Sequence, residues 1–136
     1  MNERSIVHNA IQTPDGTIIV SRHRHDYVEY KDANGNDYIV DGGLDYLRRG
    51  YTVHDFTELS LYDDDPFEKI RKVVTRGGRG IDGKQPLTFV PICDMNDEWL
   101  EAAIQYNIDY GMGIGIMNKL YKQEQEYRTQ NNIIVE

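Results

Sequence analysis

The most chemically suggestive stretch of the chain is Arg76-Gly77-Gly78-Arg79-Gly80, which interleaves two guanidinium groups with three glycines. Arginine offers planar, bidentate N–H pairs to phosphate oxygens. Glycine lets backbone N–H groups come close to an anion, and successive N–H groups can form a concave nest. Together Arg76, Gly77, Gly78 and Arg79 suit a phosphate or pyrophosphate on a small ligand. The alternative is a solvated loop whose arginines pair with acidic neighbours. Charge sharpens the point: residues 69–84 carry +5, in a chain whose formal net charge is −8. The motif is not a Walker loop, because no Gly-Lys-Ser/Thr follows. Nor is it a dinucleotide fingerprint, because a predicted helix precedes it where a strand is required.

Two further basic clusters stand on other elements. Arg22-His23-Arg24-His25 reads as a strand end with arginines on one face and histidines on the other. Histidines at i, i+2 could bind a metal or act as acid and base, with His54 or Asp26 as a further group; the competing reading is a polar strand end. Arg48-Arg49 follows Gly42-Gly43. Arg24, Arg48, Arg49, Arg76 and Arg79 are therefore candidates to converge on one anion. Phe89, just past the glycines, is the candidate to stack on a base, with a core role as the alternative. Asp63-Asp64-Asp65 reads as a solvated loop with Asp65 as a cap, and Cys93 as a small buried hydrophobe.

These groups need elements to position them. Ile6–Ile11 and Thr17–Val20 flank the turn Pro14-Asp15-Gly16, and Tyr27–Tyr30 and Tyr38–Val40 flank Asn34-Gly35, so two hairpins are predicted, forming a meander of about four antiparallel strands. Leu44–Arg49 is expected as a short helical turn ended by Gly50. Residues 51–62 read equally as strand or extended connection. A helix is expected after Asp65-Pro66, with Phe67, Ile70, Val73 and Val74 inward, stopped by Gly77-Gly78. A glycine-rich loop 76–86 and a strand Leu87–Val90 follow. Asp94 or Asn96 caps the next helix, which buries Trp99, Leu100, Ala103 and Ile104. The last, over about 114–129, buries Ile116, Met117, Leu120 and Tyr121 and pairs Glu124 with Arg128. Strands first and three to four helices afterwards give an α+β fold, expected as a single domain over 1–136.

Length and composition bound what such a molecule does. With 136 residues, two independent cores would be unusually small. Ile, Leu, Val and Phe number 33, enough to argue against disorder. No apolar run approaches the ~18 residues of a membrane span. The first residues lead into no signal segment, so a cytoplasmic protein is expected. One cysteine excludes an internal disulfide or a two-thiolate zinc site. The acidic balance disfavours DNA or RNA polymers as partners. Among ten tyrosines, several are expected at a subunit interface.

Three stretches carry a resemblance: Ser21-Arg22-His23-Arg24-His25-Asp26-Tyr27, Asp41-Gly42-Gly43-Leu44-Asp45-Tyr46-Leu47-Arg48-Arg49, and Gly80-Ile81-Asp82-Gly83-Lys84-Gln85-Pro86-Leu87-Thr88. From about Ile11 to Arg128 the chain resembles the phage anti-Thoeris sponges, the first Thoeris anti-defence family. The resemblance implies a non-enzymatic protein in the host bacterial cytoplasm that sequesters a cyclic nucleotide immune signal, a cyclic ADP-ribose isomer, without cleaving it. It implies a homo-oligomer, a dimer or higher up to a hexamer, with the signal at subunit junctions. Cyclic oligonucleotides at a separate site are implied for some members. It assigns Arg24, Arg48 or Arg49, Arg76 and Arg79 to phosphate and Phe89 to the base, and no cofactor. Proteins with a similar first half carry cysteine pairs at the two turns as zinc knuckles; here Pro14-Asp15-Gly16 and Asn34-Gly35 stand instead, so no zinc is expected. Sequestration needs tight ground-state binding and no transition-state preference, so it needs no nucleophile. The competing readings are a phosphodiesterase or nucleotide hydrolase using His23, His25 and Asp26, and a module that binds a host protein.

Overall fold

The computed structural model describes residues 5–23, 25–45, 47–52, 55–79 and 82–136, in two compact units, Met1–Pro66 and Phe67–Glu136. The first holds strands, and the second a hairpin and three helices, an α+β fold. Arg24, His54, Gly80 and Ile81 lie outside the described residues.

In the first unit, β1 (Ile6–Gln12) pairs antiparallel with β2 (Ile18–Ser21) across the expected Pro14-Asp15-Gly16 turn. The other edge of β1 takes two short strands, β6 (Thr57–Glu58) and β7 (Leu61–Tyr62), so these parts of 51–62 are strand. A second sheet orders β3 (Val28–Lys31), β4 (Asp37–Asp41) and β5 (Arg48–Tyr51). The first four strands are thus shared between two sheets. Ile11 and Ile19 of one and Tyr38 and Val40 of the other form a common core, flanked by Val28, Tyr30 and Phe56.

Two local expectations are corrected here. Arg48 and Arg49 lie in β5, opposite Asp41 and Val40, and not in a helical turn. The reversal falls earlier, where Gly42 and Gly43 take φ of +102° and +53°. That lets the chain re-enter the sheet, so the β-pairing of Val40-Asp41 overrides the helical propensity of 44–49. A Cβ on Gly43 would meet the His23 backbone at 2.3 Å. Second, His23 and His25 do not share a strand face: β2 ends at Ser21, and the His25 amide donates to His23 Nδ1 (3.3 Å) within a tight connection.

In the second unit, α1 (Phe67–Val73) buries Ile70 and runs directly into β8 (Thr75–Gly78), which pairs with β9 (Thr88–Pro91). Gly77-Gly78 therefore does not stop the helix, which ends at Val73; the Ile92 amide then donates to the Val74 carbonyl. A 3-10 turn (Ile92–Asp94) leads to α2 (Asp97–Asp109), capped by Asn96, whose Oδ1 accepts from the Trp99 amide at 2.7 Å. After a tight connection comes α3 (Ile116–Asn131). Buried side chains include Ile70, Val74, Ile92, Met95, Leu100, Ala103, Leu120 and Tyr121.

The predicted Glu124–Arg128 pair exists and is wholly inside the unit. Glu124, with no exposed side-chain surface, accepts from Arg128 Nε (2.7 Å) and from Arg71 Nε and Nη2 (2.8 and 2.9 Å). Arg128 also donates to Asp97 Oδ1 and to the Ile92 and Met95 carbonyls. Helices α1, α2 and α3 and the 3-10 turn are thereby joined by one charged network. Among the described residues, no helix is long and apolar enough to cross a membrane.

Candidate functional site

The candidate site grows from the register of the β8–β9 hairpin. Gly77 stands opposite Phe89, Gly78 opposite Thr88 and Arg76 opposite Val90. Directly opposed residues share a face. One face therefore carries Gly77 and Phe89, and the other carries Arg76, Gly78, Thr88 and Val90.

This register changes the role of the glycines. A Cβ on Gly77 would lie 3.2 Å from Phe89 Cε1 and 3.3 Å from Leu87 Cδ1; one on Gly78 would lie 3.2 Å from Trp99 Cζ2. Both residues lie in strand backbone, and neither has positive φ. The phosphate nest expected over Gly77-Gly78 is not formed. Instead each glycine leaves room for an aromatic ring against the hairpin, one ring per face.

Trp99 is the functional candidate that sequence reasoning assigned to the core. Its indole, half-buried, closes over Gly78 on the face that turns toward α2. There a groove of about 480 Å³ runs between hairpin and helix, lined by Arg79, Thr88, Val90, Glu98 and Trp99. The signal available in the sequence was the pair of adjacent glycines in a strand, which demands a large partner on each face.

Arg76 is half-buried on the same hairpin face. Its Nη1 donates to Tyr121 Oη (3.1 Å), and its guanidinium carbon lies 5.7 and 5.8 Å from the ring centroids of Tyr106 and Tyr121. Stacking of this kind fixes the fork without neutralising it. Arg79 is exposed at the groove. Among the described residues, neither Arg76 nor Arg79 is within ion-pair distance of a carboxylate. Phe89 is 40% exposed, beside Gly77 on the opposite face from Trp99.

The first-unit candidates are differently placed. Arg49 is mostly buried and committed internally: it donates to Asn9 Oδ1 (2.7 Å), Ser60 Oγ (3.0 Å) and Glu58 Oε1 (2.5 Å). It bridges β5 to β1 and β6, while Asn9 Nδ2 donates to the carbonyls of Asp41 and Gly43 (3.0 Å each). Arg48 is exposed and 3.8 Å from buried Asp41. Arg76, Gly77, Gly78, Arg79 and Phe89 share one hairpin of the second unit; Arg48 and Arg49 belong to the first.

Two other side chains, His8 and Cys93, bear on chemistry. No cluster of three or more metal-ligating side chains occurs among the described residues. On β1, burial, and after it the positive charge of Arg22, lowers the His8 pKa to about 4, so His8 is neutral at pH 7. Cys93 is half-buried, with its thiol pushed up chiefly by burial, which leaves little thiolate.

A larger recess of about 680 Å³ lies along Asp97, Leu100, Arg128 and the C-terminal residues Ile133 and Ile134, but its guanidinium is engaged by Glu124, Asp97 and two carbonyls. Of these two recesses, the hairpin groove is the one lined by a guanidinium free of ion pairs among the described residues and by an aromatic wall. Compared with family models, curated proteins and solved structures, the chain finds no match.

Proposed function

We propose that this chain binds a cyclic nucleotide immune signal in the groove between β8–β9 and α2 and sequesters it without cleaving it. One observation carries the reading: Arg79, free of any ion pair among the described residues, and the Trp99 indole line the same groove of about 480 Å³. That volume lies within the roughly 300–1,000 Å³ of small-molecule sites. Each wall matches one part of a nucleotide. The Arg79 fork takes phosphate oxygens, with stacked Arg76 adding positive charge to the same hairpin face. The indole takes a base face, worth about 1–3 kcal/mol per stacked base. The Glu98 carboxylate accepts from ribose hydroxyls.

The identity of the signal, a cyclic ADP-ribose isomer, and an oligomer that buries it at subunit junctions in the host cytoplasm, rest on the resemblance to anti-Thoeris sponges. The groove residues do not need to react with the ligand, since sequestration asks for ground-state binding alone. Of the residues first nominated, Arg76 and Arg79 remain in this reading, and Trp99 replaces Phe89 as the stacking ring. Arg49 serves the fold of the first unit.

The test is titration calorimetry with the cyclic ADP-ribose isomer, followed by heat denaturation and mass analysis of the released ligand. Saturable binding, at least tenfold weaker in Arg79→Ala, with recovery of ligand of unchanged mass, is expected. Recovery of hydrolysed ligand would favour the hydrolase built on His23, His25 and Asp26. Absence of binding would overturn the reading.

A further inference from the structure

The β8–β9 hairpin carries a feature that the groove does not use, the outer backbone edge of β8. Among the described residues β8 pairs with β9 on one side and with no strand on the other. The Ile92 amide donates to the Val74 carbonyl directly opposite in register, so the ladder bonds fall on alternate pairs, Arg76–Val90 and Gly78–Thr88. Between them, the N–H and C=O of Gly77 point away from β9. Gly77 is exposed and has no side chain to shield its amide. Strand edges are commonly blunted by proline; Pro91 does this in β9, whereas Thr75-Arg76-Gly77-Gly78 contains none. The flank of the open edge is apolar. Leu87 and Phe89, 49 and 40% exposed, lean across Gly77 from β9, with Leu87 Cδ1 and Phe89 Cε1 at 3.3 and 3.2 Å from where a Cβ would stand.

An open edge of this kind takes an extended chain as a further strand, with main-chain bonds supplying affinity and alternate side chains specificity. On such a strand, an apolar side chain on the Leu87–Phe89 face meets both residues across Gly77. Charge identifies the rest of the occupant. Lys72 stands just before β8 and Arg79 just after it, with Lys69 on α1 and Lys84 in the loop. All four are exposed, and among the described residues none is within ion-pair distance of a carboxylate. Over residues 69–84 the single acidic side chain is Asp82, and the segment carries +5. A chain laid along β8 therefore runs between unneutralised cations, which attract carboxylates and repel a basic peptide.

We infer that the free edge of β8 takes an extended acidic peptide, alternating carboxylates with apolar side chains, as a third strand. The inference stands apart from the nucleotide reading, because it uses the backbone edge and is measured with no nucleotide present. The probe is a fluorescein-labelled peptide of about eight residues alternating glutamate and valine, long enough to span the four residues of β8. Its lysine–valine counterpart is the control. Fluorescence anisotropy should rise saturably with the acidic peptide, and at least tenfold more weakly with the basic one. Amide hydrogen exchange of the full chain, read by NMR, should show the Gly77 N–H slowed at least tenfold at peptide saturation. Leu87→Asp, which sets a carboxylate where the peptide's apolar side chain lies, should weaken binding at least tenfold with the far-UV circular dichroism of the parent. Absence of binding, equal binding of both peptides, or binding that leaves Gly77 exchange unchanged overturns the inference. Binding to phosphatidylglycerol vesicles with none to the acidic peptide does so equally.

Discussion

Replacing Glu124 by glutamine tests the electrostatic centre of the second unit. The carboxylate is fully buried and accepts three N–H bonds of 2.7–2.9 Å from two guanidinium groups. Arg128 is itself 4% exposed and Arg71 12%, so neither recovers much water when its counter-ion is lost. Breaking a buried ion pair by removing one partner costs about 3–5 kcal/mol, because the remaining charge stays buried. Glutamine keeps the shape and one acceptor oxygen, and Arg128 retains Asp97, which places Glu124→Gln near the lower end, about 3 kcal/mol. For a unit of this size each kcal/mol is worth roughly 4–8 °C, giving a fall in Tm of about 12–24 °C. Urea unfolding followed by fluorescence of Trp99, the single tryptophan and a reporter of this unit, should show the midpoint falling with the m-value unchanged. Replacing Arg71 and Glu124 together by methionines, which removes both charges of one pair, should recover part of the loss. A Glu124→Gln loss below about 1 kcal/mol would refute the reasoning, since the network would then be solvated and not buried.

Acid stability follows from His8. Its pKa of about 4 in the folded chain, against an ordinary 6.5, means that the unfolded chain binds more protons between those values, so stability falls as pH drops from about 6.5 to 4. At 1.36 kcal/mol per pH unit the loss approaches roughly 3 kcal/mol, and His8→Gln should flatten the unfolding free energy over that window in urea titrations at several pH values. Below it, Asp15, Asp32 and Asp97, all held below the usual carboxylate range by hydrogen bonds from Thr13, Asn36 and Arg128 respectively, add a second decline. Gly43→Ala should destabilise the first unit by at least about 2 kcal/mol, since φ is +53° and the new Cβ would sit 2.3 Å from the His23 carbonyl carbon. Thermal unfolding followed by tyrosine circular dichroism, to which that unit contributes six of the ten tyrosines, measures it.

The local patterns were readable where one physical signal dominated. Pro14-Asp15-Gly16 and Asn34-Gly35 specify reversals by dihedral preference alone, and both hairpins appear where expected. The Asn96 cap and the Leu100, Ala103 and Ile104 face of α2 follow from side-chain chemistry and period. What was hidden depends on pairing across sequence distance. Arg48-Arg49 reads as helical until Val40-Asp41 claims it as a strand, and nothing local reveals that competition. Gly77-Gly78 read as punctuation and phosphate cradle because the rings that need the space, Phe89 and Trp99, lie eleven or more positions away. The i, i+4 spacing revealed Glu124 and Arg128 but not Arg71, which reaches the same carboxylate from α1. In the site, therefore, charge was legible and the aromatic wall was not.

The most direct measurement is Trp99 emission during titration with the cyclic ADP-ribose isomer. Because the chain has one tryptophan and its indole lines the groove, a base stacked there quenches the signal saturably, with the midpoint moved at least tenfold to higher concentration in Arg79→Ala. Binding seen by calorimetry with Trp99 emission unaltered would contradict the account, because the ligand would then occupy some other surface.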